Sequence, residues 1–167
     1  MKAICFLVCF GVTLAMGESF AGQARVASRG ETVVAATAGK LTVQVRIRTH
    51  EMPIGEPYDP RPAVIESNCT YSKYPCSIVD RVDITVNGKP LFVPRSAFCD
   101  LADLNEAEVK ADEEGSILKL GGGDASESYI AKIEFDATHV RRRTLSSATE
   151  PDQPLQETIY HVVVLRD

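Results

Sequence analysis

Apolar and polar residues alternate one for one in several short stretches of this chain. That period of two restricts it to strands with one face in a core and the other in water. Leu41, Val43, Val45 and Ile47 alternate with Thr42, Gln44, Arg46 and Arg48. Val82, Ile84 and Val86 alternate with Asp83, Thr85 and Asn87, and Asn87-Gly88 then precedes Leu91-Phe92-Val93. Asn-Gly tolerates the positive φ that a two-residue turn demands, so these runs predict a hairpin. Ile117 to Leu120 predicts a short strand ending at Gly121-Gly122-Gly123, and Tyr129, Ala131, Ile133 and Phe135 form another alternating face against Lys132, Glu134 and Asp136. Thr158 to Leu165 predicts a last strand, buried on both faces because Val162-Val163-Val164 is unbroken. Val33 to Ala36 and Val140 to Leu145 are further strand candidates.

One short helix is expected near residues 103–112. Asp103 and Glu106 have the spacing of a capping box, Asn105 to Lys110 hold neither Gly nor Pro, and Gly115 supplies a stop. Strands at irregular spacing with one helix predict a mainly β fold, a single antiparallel β-sandwich or open barrel. The chain has no Trp and no Cys-Trp-Cys pattern, which removes the strongest sign of an immunoglobulin domain.

Residues 1–21 read as an export signal peptide. Lys2 gives a positive start, Ala3 to Met16 is almost wholly apolar, and Ser19-Phe20-Ala21 is a small-x-small cleavage site, with Gly17 and Ala24 as other ends. The apolar run is too short to span a bilayer, and no second long apolar segment follows, so no transmembrane anchor is expected in residues 22–167. Those residues are expected to form one β-rich domain, secreted or periplasmic. The formal net charge of −5 argues against a nucleic-acid partner.

Three cysteines follow the leader, and in an oxidising compartment an odd number leaves one over. Cys69 and Cys76 enclose a short loop that can bend back on itself, so this pair is favoured, and Cys99 is then left alone. Pairing of Cys99 with either of the others is the competing arrangement. Asn68-Cys69-Thr70 matches a glycosylation acceptor, and we read it as chance because its Cys is assigned to the bridge.

Residues 52–76 have the most unusual composition, with Pro53, Pro57, Pro60, Pro62 and Pro75, three of the five tyrosines and the expected disulfide. Prolines and a cross-link lower the ordering cost of a loop that meets a partner, and Tyr offers broad contact area with a polar tip. Tyr58, Tyr71 and Tyr74 are therefore the candidate binding residues. The plainer reading is a stiff connection whose tyrosines cover the edge of the core.

Other motifs have simpler explanations. Gly121-Gly122-Gly123-Asp124 lacks the following helix and Lys-Ser or Lys-Thr of a phosphate loop and reads as a tight turn. Ser126 and Ser128 lack a nucleophile elbow. His50, His139 and His161 have no metal-ligand spacing, so neither a metal nor a cofactor is expected. The seven acids between Asp100 and Glu114 lack EF-hand spacing and read as a solvated face of the expected helix. Arg141 and Arg143, sharing a strand face, are expected to join Arg46 and Arg48 as a solvated basic face or an anion-binding patch. Without a nucleophile and positioned base, the first functional expectation is a non-catalytic interaction protein with a protein partner in the cell envelope, using the loop 52–76. Two alternatives stand beside it: a hydrolase or metal-dependent enzyme with a site assembled from Asp124, His139 and His161, and a structural subunit of an envelope assembly.

Overall fold

The computed structural model describes residues 22–53, 69–71, 73–112 and 114–162. The expected leader, Tyr58 and most of the loop 52–76 lie outside the described residues. The chain folds into ten strands: β1 (Gly22–Arg25), β2 (Gly30–Ala38), β3 (Leu41–Met52), β4 (Cys76–Val86), β5 (Lys89–Leu91), β6 (Leu104–Lys110), β7 (Ser116–Gly122), β8 (Tyr129–Phe135), β9 (Val140–Ser147) and β10 (Pro154–Ile159). They form two antiparallel sheets, β2-β3-β4-β5 and β1-β6-β7-β8-β9-β10. The sheets pack as a sandwich and do not close into a barrel.

The alternating runs supply the inner faces. Val43, Val45 and Ile47 of β3 and Val82, Ile84 and Val86 of β4 are buried. Opposite them stand Ala107 and Val109 of β6, Leu118 and Leu120 of β7, and Ala131, Ile133 and Phe135 of β8. Burial of a single Val, Leu, Ile or Phe side chain contributes about 1.5–3 kcal/mol, so this shared cluster is the main source of cohesion between the sheets. The Asn87-Gly88 turn forms as expected, with both residues at positive φ and Val86 opposite Lys89. At the crossing from one sheet to the other, Gly22 lies so close to the Ala35 carbonyl that a Cβ would collide with it, which explains glycine there.

The helix expected over 103–112 is absent, and β6 takes its place. Ala107 and Val109 point inward while Glu106 and Glu108 point outward, and the strand pairs with β1 on one side and β7 on the other. Those two ladders and the buried alternate side chains outweigh a helix propensity of a few tenths of a kcal/mol per residue. The remaining helical structure described is two single 3-10 turns, Arg95–Ala97 and Ala125–Glu127. The last strand begins earlier than expected: β10 runs from Pro154 to Ile159 with most of its residues exposed, Val162 is exposed beyond it, and Val163 to Leu165 lie outside the described residues.

Arginines on β9 depart from simple alternation too. A bulge shifts the β8–β9 register so that Glu134 faces Arg142 and Phe135 faces Val140, leaving Arg141 as the extra residue. Arg142 therefore points outward to Glu134 (2.6 Å) and Glu157 (3.2 Å), while Arg143 turns inward and is only 2% exposed. Arg46 and Arg48 are engaged by Glu31 at 3.3 and 3.2 Å on the other sheet. The expected four-arginine basic patch does not form.

Tyr129 joins the sheets at the β8 end. Its hydroxyl donates to the Ala102 carbonyl at 2.5 Å and accepts from the Ala102 N–H at 3.0 Å, and its ring packs where a Cβ on Gly122 would stand. Burial raises the pKa of this phenol well above its ordinary value. A folded pKa above the unfolded one means that stability is fully present below about pH 10 and is lost as pH rises through the folded value. Urea midpoints measured up the alkaline limb are expected to fall from about pH 10 onward. Tyr129→Phe should lose about 2 kcal/mol at neutral pH and lose that part of the alkaline slope. An unchanged slope in the variant would refute the assignment.

Candidate functional site

The base of the loop 52–76 is held by three ties. Cys69 and Cys76 form the expected disulfide, with Cα atoms 5.7 Å apart, and Cys99 is free and exposed. Met52 at the end of β3 is paired with Cys76 at the start of β4, which brings the two ends of the connection together. The third tie is Asp103, fully buried and in the left-handed region with φ of 51°. Its Oδ2 accepts the Thr70 N–H at 2.8 Å and its Oδ1 accepts the Ser77 N–H at 2.9 Å, one on each side of the disulfide loop. The Asp103 N–H donates to the Ser77 carbonyl at 2.6 Å, so β4 and the lead-in to β6 are stitched together at this point.

Side chains around the loop follow from these ties. Cys76, Ile78 and Ala102 form a small buried cluster against which Met52, Cys69 and Tyr74 pack. Tyr74 is thus half-buried at the edge of the core, whereas Tyr71 is 55% exposed. The Tyr71 N–H donates to Glu127 Oε2 at 2.9 Å, which seats the loop against the 3-10 turn that follows β7. Lys73 reaches the Asn105 side chain at 3.2 Å on the other side. Of the three candidate tyrosines, Tyr71 presents its side chain to solvent and Tyr74 anchors it.

Beside the loop, a groove of about 1000 Å³ runs along β4, with His50, Met52, Asp80, Val82, Phe92 and Cys99 among its lining residues. It exists because β5 pairs with β4 only as far as Leu91 opposite Ile84. Beyond Leu91 the chain leaves the sheet at Pro94, which precedes the Arg95–Ala97 turn. Phe92 is left 81% exposed at the rim.

The histidines lie apart in the fold. His50 Nδ1 meets Asp80 Oδ1 at 2.7 Å on the outer face of β3 and β4. His139 sits in the β8–β9 turn, where Asp136 Oδ1 accepts from the Thr138 hydroxyl at 2.6 Å and from the N–H groups of Thr138 and His139. Burial alone would raise the Asp136 carboxyl, but these hydrogen bonds outweigh it and hold its pKa below the usual value. His161 follows β10 and is exposed. Asp124 precedes β8 while His139 follows it, so a seven-residue strand of about 20 Å separates them. Among the described residues no three His, Cys, Asp or Glu side chains are grouped to hold a metal ion.

Asp103 and Arg143 carry much of the polar organisation here, where the sequence suggested a helix cap for the first and a place in a solvent-facing basic patch for the second. Arg143 Nη2 meets both carboxylate oxygens of Asp100 at 2.8 and 2.7 Å, and its Nη1 donates to Gln156 Oε1 at 2.7 Å. This ties the turn before β6 to β9 and β10. Among the described residues no helix is long and apolar enough to cross a membrane. No protein-family model matches the chain, and no curated protein or solved structure matches it either.

Proposed function

We propose that this chain is an exported, non-catalytic binding domain that contacts a protein partner of the cell envelope through its disulfide-closed Pro/Tyr loop. The observation that carries this reading is the clamped base of the loop. A disulfide and a buried carboxylate tie Cys69 to Cys76 and Thr70 to Ser77, next to a Tyr71 that is 55% exposed. A recognition loop gains affinity from such prior ordering, because less conformational freedom is lost on contact. A structural connection alone has no need for an exposed Tyr71 beside its disulfide.

A structural subunit of an envelope assembly is the second reading, favoured by the exposed edge strand β10 and the exposed Cys99 thiol. The assembled acid–base site from Asp124, His139 and His161 receives no such support, since β8 stands between Asp124 and His139.

The test is capture of exported proteins by the tagged chain, followed by the same capture with Tyr71→Ala. Tyr71 is exposed, so this variant should fold with an unchanged unfolding midpoint. Loss of the captured partner by at least about tenfold is expected for an aromatic anchor. Equal recovery by both forms would reject the loop as the contact surface.

A further inference from the structure

We propose that β10 is a self-association edge, and that two copies of this chain pair through it antiparallel about a twofold axis at Ile159. The inference goes beyond the loop reading and uses a different face of the molecule. β10 is the last strand of the six-stranded sheet, so one of its two edges has no strand neighbour among the described residues. Orientation along it follows from one hydrogen bond. The Tyr160 N–H donates to the Arg141 carbonyl at 3.0 Å, so residues 156, 158 and 160 direct their main-chain groups toward β9. Glu157, Ile159 and the next residue of that parity, His161, direct theirs outward.

Natural sheets guard such edges with lysine or proline inside the strand. The four-stranded sheet does so at β5, where Lys89 and Pro90 stand in a three-residue strand. The last strand has only its first residue, Pro154, and an irregularity at Leu155. From Gln156 to Tyr160 no Lys, Arg or Pro intervenes, and the one charge there, Glu157, is paired with Arg142 of its own sheet at 3.2 Å. Ile159 is 59% exposed and Leu155 76% exposed, so the edge carries apolar side chains along a side with no strand neighbour among the described residues.

Charge selects the register and identifies the occupant as a second copy. Only residues of the outward parity can pair with one another. An axis at Glu157 would set two carboxylates face to face, and an axis at Thr158 would set Glu157 against Ile159. An axis at Ile159 places Ile159 against its own copy and Glu157 across from His161 on both sides. There the imidazole N–H donates to the carboxylate whether or not the ring is charged. Glu157 is 44% exposed and already oriented by Arg142, so it is positioned to accept a further donor. The product is a continuous twelve-stranded sheet with a closed, isologous contact.

A contact made by one short strand falls below the area of a stable interface, so the dimer is expected to be weak and concentration-dependent. Sedimentation equilibrium of the purified chain at physiological salt should give a dissociation constant between about 10 µM and 1 mM. Ile159→Lys should raise it at least about tenfold, since two ammonium groups would meet on the axis. Glu157→Lys and His161→Glu should each weaken association, and the double variant should restore it. That rescue is specific to the register about Ile159 and is not expected from a folding defect. A wild-type chain that stays monomeric at about 1 mM would overturn the proposal. So would a dimer indifferent to Ile159→Lys, or one in which the double variant fails to recover.

Discussion

Replacing Asp103 with Ala is expected to cost about 3–5 kcal/mol, a large part of the 5–15 kcal/mol that holds a typical domain folded. Each hydrogen bond to a charged group contributes about 1.5–3 kcal/mol, and this carboxylate accepts two, from Thr70 and Ser77. Both donors belong to buried residues, so the truncation would also strand two main-chain N–H groups away from water. A further cost of about 1 kcal/mol arises because Ala would have to hold the left-handed backbone that Asp tolerates. Asp103→Asn keeps that backbone and one acceptor oxygen but turns an amide NH2 toward a donor, so about half the loss is expected. The check is a set of urea unfolding midpoints for wild type, both variants and Cys69→Ser/Cys76→Ser. Because carboxylate and disulfide constrain the same loop, combining Asp103→Ala with the cysteine pair should cost less than the separate losses added together. A loss below about 1 kcal/mol for Asp103→Ala would show that the carboxylate holds the loop only weakly, and strict additivity would show that it and the disulfide act independently.

If that clamp holds the loop in its binding form, Asp103→Asn should weaken partner capture under conditions where the domain remains folded. Tyr71 itself would be untouched. The same variant thus separates a loop that must be ordered to bind from one that merely carries a sticky side chain.

The fold was legible where each strand buries one face, because the period of two then appears directly in the residue order. Leu41–Ile47, Val82–Val86 with its Asn-Gly turn and Tyr129–Phe135 all place their apolar members inward. What misled was local chemistry whose meaning depended on distant residues. Asp103 does cap main-chain N–H groups, as its spacing to Glu106 suggested, but the N–H groups belong to residues 33 and 26 positions away. Ala, Glu and Lys in β6 favour a helix in isolation, and only the β1 and β7 ladders on either side reverse the choice. On β9 a single bulged residue moved Arg143 from the solvent face to the interior, and no feature of three consecutive arginines indicates where a bulge falls. Near the end of the chain the expected strand overlaps β10 only at Thr158 and Ile159, because Pro154–Ile159 pairs with β9 although its own residues carry little apolar alternation. The candidate site was legible in part. The disulfide followed from loop length and composition, but the division of labour between Tyr71 and Tyr74 depends on how the loop packs against Ile78 and Ala102.

The same interior arginine gives the second large expected effect, and its sign pattern distinguishes a buried charge from a stabilising bridge. Asp100→Ala should cost about 3–5 kcal/mol, because it leaves a guanidinium that is 2% exposed with only Gln156 as partner. One of its donors, Nε, already lacks a hydrogen-bond partner, so the side chain has no spare contact to fall back on. Arg143→Met should cost less, about 1–2 kcal/mol, since Asp100 is 31% exposed and can recover water when its partner is gone. Methionine also fills much of the same volume among apolar neighbours. The double variant Asp100→Ala/Arg143→Met should therefore be more stable than Asp100→Ala alone. Thermal midpoints of the three variants decide the matter. If Arg143→Met proves as costly as Asp100→Ala, or the double variant gains nothing, then the arginine contributes through packing rather than through an otherwise uncompensated charge. If the predicted order holds, most of the Asp100→Ala loss comes from stranding a buried charge and little from the bridge itself, and what the pair secures is position: Arg143 links the Asp100 turn to Gln156 and so fixes β10, the edge through which two copies are expected to meet.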